Sequence, residues 1–159
     1  GPVVDKLAAQ GDPEKFPFTA PMLRRDKPDF SFSGIKTAAG REIERLHREH
    51  GEAIPEQTIK DLCAGFQRAV VEALIMKSLV ALEASGGNDL VVTGGVACNR
   101  GLRLRAAEET RRRPGVRIWF PHPSLCTDNA AMIAGLGWKL APLERAEALA
   151  VNADCSLKL

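Results

Sequence analysis

Two short stretches of this 159-residue sequence combine residue types suited to a phosphate or a cation: Gly94-Gly95-Val96-Ala97-Cys98-Asn99 and Thr127-Asp128-Asn129. The first follows a β-branched run and leads into a helix. Such a turn places free backbone N–H groups at the positive helix end, and glycine lets an anion approach the backbone closely. Gly94 and Gly95 therefore read either as a plain turn or as a phosphate cradle. Asn99 reads as the N-cap of the next helix or as a ligand to a ribose or phosphate. No P-loop and no dinucleotide fingerprint accompanies them, since neither Gly-Lys-Ser/Thr nor G-x-G-x-x-G follows. At the second stretch three consecutive residues suit an N-cap. Asp128 reads as that cap, the commoner case, or as a carboxylate ligand to a cation beside the helix dipole.

Other reactive side chains carry weaker signals. Cys63, Cys98, Cys126 and Cys155 are far apart with no CxxC pair, which argues against a zinc site and for reduced thiols, with Cys63 packed in the core. His47 and His50 fall near a helix end among charges. His122 stands between two prolines without a second histidine nearby. Trp119 and Trp138 fit the apolar patterns of a strand and a helix and are expected in the core. Protease and hydrolase signatures are absent.

Composition is that of a soluble globular chain, with 45% hydrophobic and 26% charged residues. The formal net charge of +2 gives no global argument for nucleic acid. Locally, Arg100, Arg103, Arg105, Arg111, Arg112, Arg113 and Arg117 stand against only Glu108 and Glu109. That cluster reads as a solvated helix face or as a phosphate-contacting surface. Residues 69–82 are too short and too interrupted by charge for a membrane span. The start at Gly1-Pro2, without an initiator Met, suggests a fragment or a trimmed chain.

The elements that must position these residues follow from periodicity. Residues 1–34 form an entry segment: Phe16-Pro17-Phe18 and Phe30-Ser31-Phe32-Ser33 alternate like short strands around a charged turn, predicting a hairpin-like excursion. Residues 34–85 are helical, one helix ending at Gly51 and a longer one opening at Pro55. Residues 69–82 are apolar nearly all round, as in a helix packed on several sides. Residues 86–159 hold strand–helix units: strands at 90–93 and 116–120, helices at 99–113 and 128–140, and a final strand at 152–159. Short apolar strands alternating with helices indicate an α/β layer structure.

Four segments in this order carry a resemblance: Gly1-Pro2-Val3-Val4-Asp5-Lys6-Leu7-Ala8, Phe30-Ser31-Phe32-Ser33-Gly34-Ile35-Lys36-Thr37-Ala38, Val92-Thr93-Gly94-Gly95-Val96-Ala97-Cys98-Asn99-Arg100 and Cys126-Thr127-Asp128-Asn129-Ala130-Ala131-Met132-Ile133-Ala134. They resemble the C-terminal half of the tRNA N6-adenosine threonylcarbamoyltransferase family (TsaD, once labelled O-sialoglycoprotein endopeptidase). The resemblance implies the second lobe of a two-lobed fold of the actin, sugar-kinase and Hsp70 type, the first lobe lying outside this chain. It implies transfer of the threonylcarbamoyl group of threonylcarbamoyl-AMP to N6 of adenosine 37 in tRNAs reading codons that begin with A. Asp128 matches the family's metal-ligating Asp, the metal being one divalent ion, usually iron. Asn99 matches a substrate-binding Asn, Gly1 the last glycine of a Gly-Gly-Pro substrate loop, and Gly94 and Gly95 a close approach to the substrate phosphate.

Implied partners are tRNA, a paralogous subunit and a small ATPase, in the cytoplasm or in a eukaryotic organelle, with no membrane association. The family's His-x-x-x-His metal pair is matched by none of His47, His50 and His122. The resemblance therefore implies half a metal site and half a substrate site, and no activity for the isolated chain. Two other readings are a sugar-kinase or ATPase lobe and a non-catalytic paralogous assembly partner.

Overall fold

The computed structural model describes residues 1–19 and 29–140. The chain divides into two compact units, Gly1–Cys126 and Thr127–Leu159. The expected strand at 152–159 and most of the charged turn at 24–29 lie outside the described residues.

In the first unit, α1 spans Pro2–Ala8, α2 Ser33–His50 and α3 Glu56–Ala84. β1 spans Asp89–Val91, a 3-10 turn Gly95–Cys98, α4 Arg100–Arg112 and β2 Arg117–Trp119. A second 3-10 turn covers Pro123–Leu125. Two parallel strands, a helix between them and a long helix against them make a mixed α/β arrangement, as patterning anticipates.

The 29-residue α3 organises this unit, packing against α1, α2, α4 and β1. Pro55 is its N-cap, where a missing N–H costs little, and Ser85 closes it. Val71, Ile75, Leu79 and Leu82, spaced along one face of α3, meet Leu102 and Ala106 of α4 in one buried cluster. Fully burying a side chain such as Ile75 stabilises by about 1.5–3 kcal/mol.

β1 and β2 pair in parallel with Leu90 opposite Ile118, both packed against that cluster. Val91 and Trp119 on the other side are exposed. The strands are therefore half-buried, where an apolar run suggests cover on both faces. Trp119 is not a core residue: its indole N–H donates to Asp89 Oδ1 at 2.7 Å, giving the polar end of the ring a partner at the surface.

The entry segment also differs from expectation. Residues 2–8 are helical, started by Pro2, whose fixed φ suits a first helical position. Neither 16–18 nor 30–32 is a strand. Phe18 N–H instead folds back to Phe16 O at 2.8 Å, the Phe18 ring meets Phe66 of α3 edge-on, and the Phe30 and Phe32 rings stack on each other. Side-chain contacts thus take the place of a strand ladder. Buried Asp61 of α3 ties this segment down, accepting from Asp12 N at 2.8 Å and Gln57 Nε2 at 2.7 Å. Those two donors hold its carboxyl below the usual aspartate range.

The second unit is described through α5, Ala130–Leu140. Ile133 and Trp138 are exposed, so Trp138 also departs from its expected core position. Cys63 is only half-buried, and burial raises its thiol pKa; among the described cysteines the buried one is Cys126. No helix among the described residues is long and apolar enough to cross a membrane.

Candidate functional site

The first helix start is built from β1 through a glycine corner. Gly94 has φ 82° and ψ 176°, a backbone conformation that strains any residue with a Cβ. The chain then makes the 3-10 turn, in which Ala97 N bonds Gly94 O and Asn99 N bonds Val96 O, each at 2.9 Å. The N–H groups of Gly95 and Val96 open this turn and have no partner within it.

Asn99 then caps α4, its Oδ1 accepting from Leu102 N at 2.8 Å. Its Nδ2 donates to Asp5 Oδ1 at 3.0 Å and to Gln67 Oε1 at 2.9 Å. Asp5 Oδ2 in turn accepts from Arg100 N at 3.3 Å. Gly1 is the N-cap of α1 and its carbonyl accepts from Asp5 N at 3.1 Å. Gly94, Gly95 and Asn99 thus share one turn, and α1 brings Gly1 and Asp5 to the same region. Sequence reasoning missed Asp5 and Gln67. Neither lies in a local pattern with Asn99, and only the packing of α1 and α3 on α4 unites them.

The arginine run is largely committed to the fold. Arg103 Nε donates to Ala97 O at 2.7 Å, its Nη2 donates to Pro121 O at 2.8 Å, and its guanidinium lies 4.8 Å from the Phe120 ring centroid. It clamps the glycine turn to the loop after β2. Arg105 bridges Glu72 of α3, at 2.8 and 3.2 Å, and Glu109. Glu109 is buried and also binds Arg113 at 3.0 Å and Arg112 at 3.6 Å. Arg105 foremost, with Arg113, holds its carboxyl below the ordinary glutamate range. Arg117 pairs with Asp89, whose pKa falls to about 2 through that bond and the Trp119 N–H. Among the described residues, only Arg100 and Arg111 of the run have a side chain without an ion pair or hydrogen bond.

The second helix start resolves differently from the commoner reading. Asn129 is the cap, its Oδ1 accepting from Met132 N at 3.1 Å and its Nδ2 donating to Thr127 O at 3.0 Å. Asp128 is exposed and makes no hydrogen bond among the described residues. A carboxylate excused from capping is available to a ligand. It is one ligand only, because the described residues contain no group of three or more His, Cys, Asp or Glu able to hold a metal. These residues alone do not fit a complete metal site. His122 Nδ1 meets Ser124 Oγ at 2.8 Å and caps the second 3-10 turn, while His47 Nδ1 meets Ile43 O at 2.9 Å, so local structure uses both rings.

In the first unit a parallel strand pair leads through a strained glycine corner into the Asn99-capped α4, a mixed α/β arrangement; in the second, Asn129 caps α5. The TsaD family model, described as tRNA N6-adenosine threonylcarbamoyltransferase, matches residues 1–135, and the chain belongs to that family. Relatives bearing that name include a Syntrophotalea carbinolica protein, 45% identical over 137 residues (86% of this chain, 39% of the relative). A Methylibium petroleiphilum protein is 47% identical over 134 residues, covering 84% and 37%. A Synechococcus protein is 46% identical over 138 residues, covering 86% and 36%. The chain therefore spans well under half the length of these curated relatives.

Proposed function

We propose that these residues form the second lobe of an enzyme that makes threonylcarbamoyladenosine in tRNA, in an actin, sugar-kinase and Hsp70-type fold. The donor is threonylcarbamoyl-AMP and the acceptor is N6 of adenosine 37 in tRNAs reading codons that begin with A. The observation that carries this reading is the family match across residues 1–135, which includes both helix starts. It favours acyl transfer over a sugar-kinase lobe or a non-catalytic partner.

The adenine amine is the nucleophile. Its nitrogen bonds the carbamoyl carbon as the bond from that carbon to the AMP phosphate oxygen breaks, AMP leaves, and the amine loses a proton. No covalent protein nucleophile is required. In this reading the Gly94-Gly95 corner and Gly1 let the donor lie against the backbone, and Asn99 orients it. Asp128 supplies one ligand to a divalent metal, iron in this reading, whose remaining ligands come from the first lobe. Such an ion, when bound, supplies Lewis acidity toward carbamoyl or phosphate oxygens. Partners in this reading are tRNA, a paralogous subunit and a small ATPase, in the cytoplasm or a eukaryotic organelle.

The test is Asp128→Ala in the full-length enzyme, with bound iron and transfer rate both measured. Loss of both is expected. Unchanged iron and rate would remove Asp128 from the ligand set.

A further inference from the structure

We propose that Gln67 of α3 is a positioning residue that fixes the Asn99 amide for the donor. The inference rests on the reading of Asn99 as a donor ligand.

An asparagine amide has two N–H donors and an acceptor oxygen, and a bare N-cap uses only the oxygen. At Asn99 the oxygen is set by Leu102 N at 2.8 Å. Both Nδ2 hydrogens are engaged as well, by Asp5 at 3.0 Å and Gln67 at 2.9 Å. The amide is thus held from three elements, α1, α3 and its own helix. That leaves the second lone pair of Oδ1 for a ligand; a donating role for Nδ2 requires exchange with Asp5 or Gln67. Either way, the rotamer that the donor meets is the one Gln67 holds.

A second observation bears on Gln67 itself. A Cβ on Gly101 would stand 2.8 Å from Gln67 Nε2, 3.3 Å from Asn99 Oδ1 and 3.4 Å from Gln67 Cδ, so the Gln67 amide is the closest obstacle. The glycine at the second position of α4 leaves room for the Gln67 amide to reach Asn99. A methyl there forces Gln67, the flexible partner, to move. Within a helix alanine is otherwise favoured over glycine. Gly101→Ala therefore separates two roles: a merely structural Gln67 predicts a stability loss with unchanged donor use, whereas positioning predicts a loss of donor use in protein that remains folded.

The experiment measures kcat and KM for threonylcarbamoyl-AMP, with thermal melting, in the full-length enzyme carrying Gln67→Ala, Gly101→Ala, both, or Asn99→Ala. Losing one neutral hydrogen bond to the Asn99 amide is worth about fivefold. We expect KM to rise about fivefold in Gln67→Ala and in Gly101→Ala, with kcat within about twofold. The Gly101→Ala effect should vanish in the Gln67→Ala background, since the two act through one contact. If Gly101→Ala costs the same with Gln67 removed, the methyl acts on Asn99 directly and the proposal fails. It also fails if Asn99→Ala raises KM while Gln67→Ala and Gly101→Ala do not. An unchanged KM in Asn99→Ala would remove the underlying reading of Asn99, and this inference with it.

Discussion

Replacing Glu109 with alanine should destabilise this chain more than replacing any of the exposed arginines around it. The carboxylate is buried, with a side chain only 6% exposed, and it anchors Arg105, Arg112 and Arg113. Breaking a buried ion pair costs about 3–5 kcal/mol, because the remaining charge is left without compensation. Here the cost should lie near the lower end, about 3 kcal/mol. Arg105 keeps Glu72, and the Arg113 and Arg112 side chains, 46% and 67% exposed, can return to water.

Urea unfolding of the 159-residue chain measures this directly, and thermal melting should fall by about 6–12 °C for a domain of this size. The pH dependence carries the sign. A carboxyl held below its unfolded value contributes stability that is complete above the ordinary glutamate range and is lost as pH falls through the folded value. The gap between wild type and Glu109→Gln should therefore narrow on acidification below about pH 4.3. A Glu109→Ala cost under about 0.5 kcal/mol would refute the reasoning and return these arginines to a free surface.

Two further outcomes follow from the same geometry. Asn99→Ala should lose about 1 kcal/mol of stability from the missing cap, weaken donor binding and leave bound metal unchanged; unaltered donor affinity would make Asn99 a cap and nothing more. The Arg117–Trp119–Asp89 cluster should persist to about pH 2, so NMR titration of the Asp89 carboxyl should place its midpoint well below the ordinary aspartate range; a midpoint near 3.9 would show that these contacts do not hold in solution.

The helices from 33 onward were legible because their ends are written in single residues. Pro55 opens α3, Gly51 closes α2 and Asn99 caps α4, each a local device with a local cause. The entry segment misled because Phe16-Pro17-Phe18 and Phe30-Ser31-Phe32 alternate like strands, yet ring contacts satisfy them without a ladder partner. Trp119 misled for a related reason, since an apolar strand pattern does not reveal that Asp89 on the neighbouring strand holds the indole at the surface.

At the candidate site, the residue types were legible and their division of labour was not. Thr127, Asp128 and Asn129 all suit a cap, and only the geometry assigns the cap to Asn129 and frees Asp128. Asp5 and Gln67 lie 94 and 32 residues from Asn99, so no spacing rule joins them. The arginine run was ambiguous by count alone. Its Arg105, Glu109 and Arg113, spaced by four along α4 and its C-cap, carry the structural answer.

The most direct test of the central claim is nucleoside mass spectrometry of tRNA incubated with threonylcarbamoyl-AMP and the full-length enzyme or residues 1–159 alone. The account predicts threonylcarbamoyladenosine at position 37 with the full-length enzyme and none with the 159-residue chain. Unmodified tRNA from the folded, metal-loaded full-length protein, or threonylcarbamoyladenosine formed by residues 1–159 alone, would contradict it.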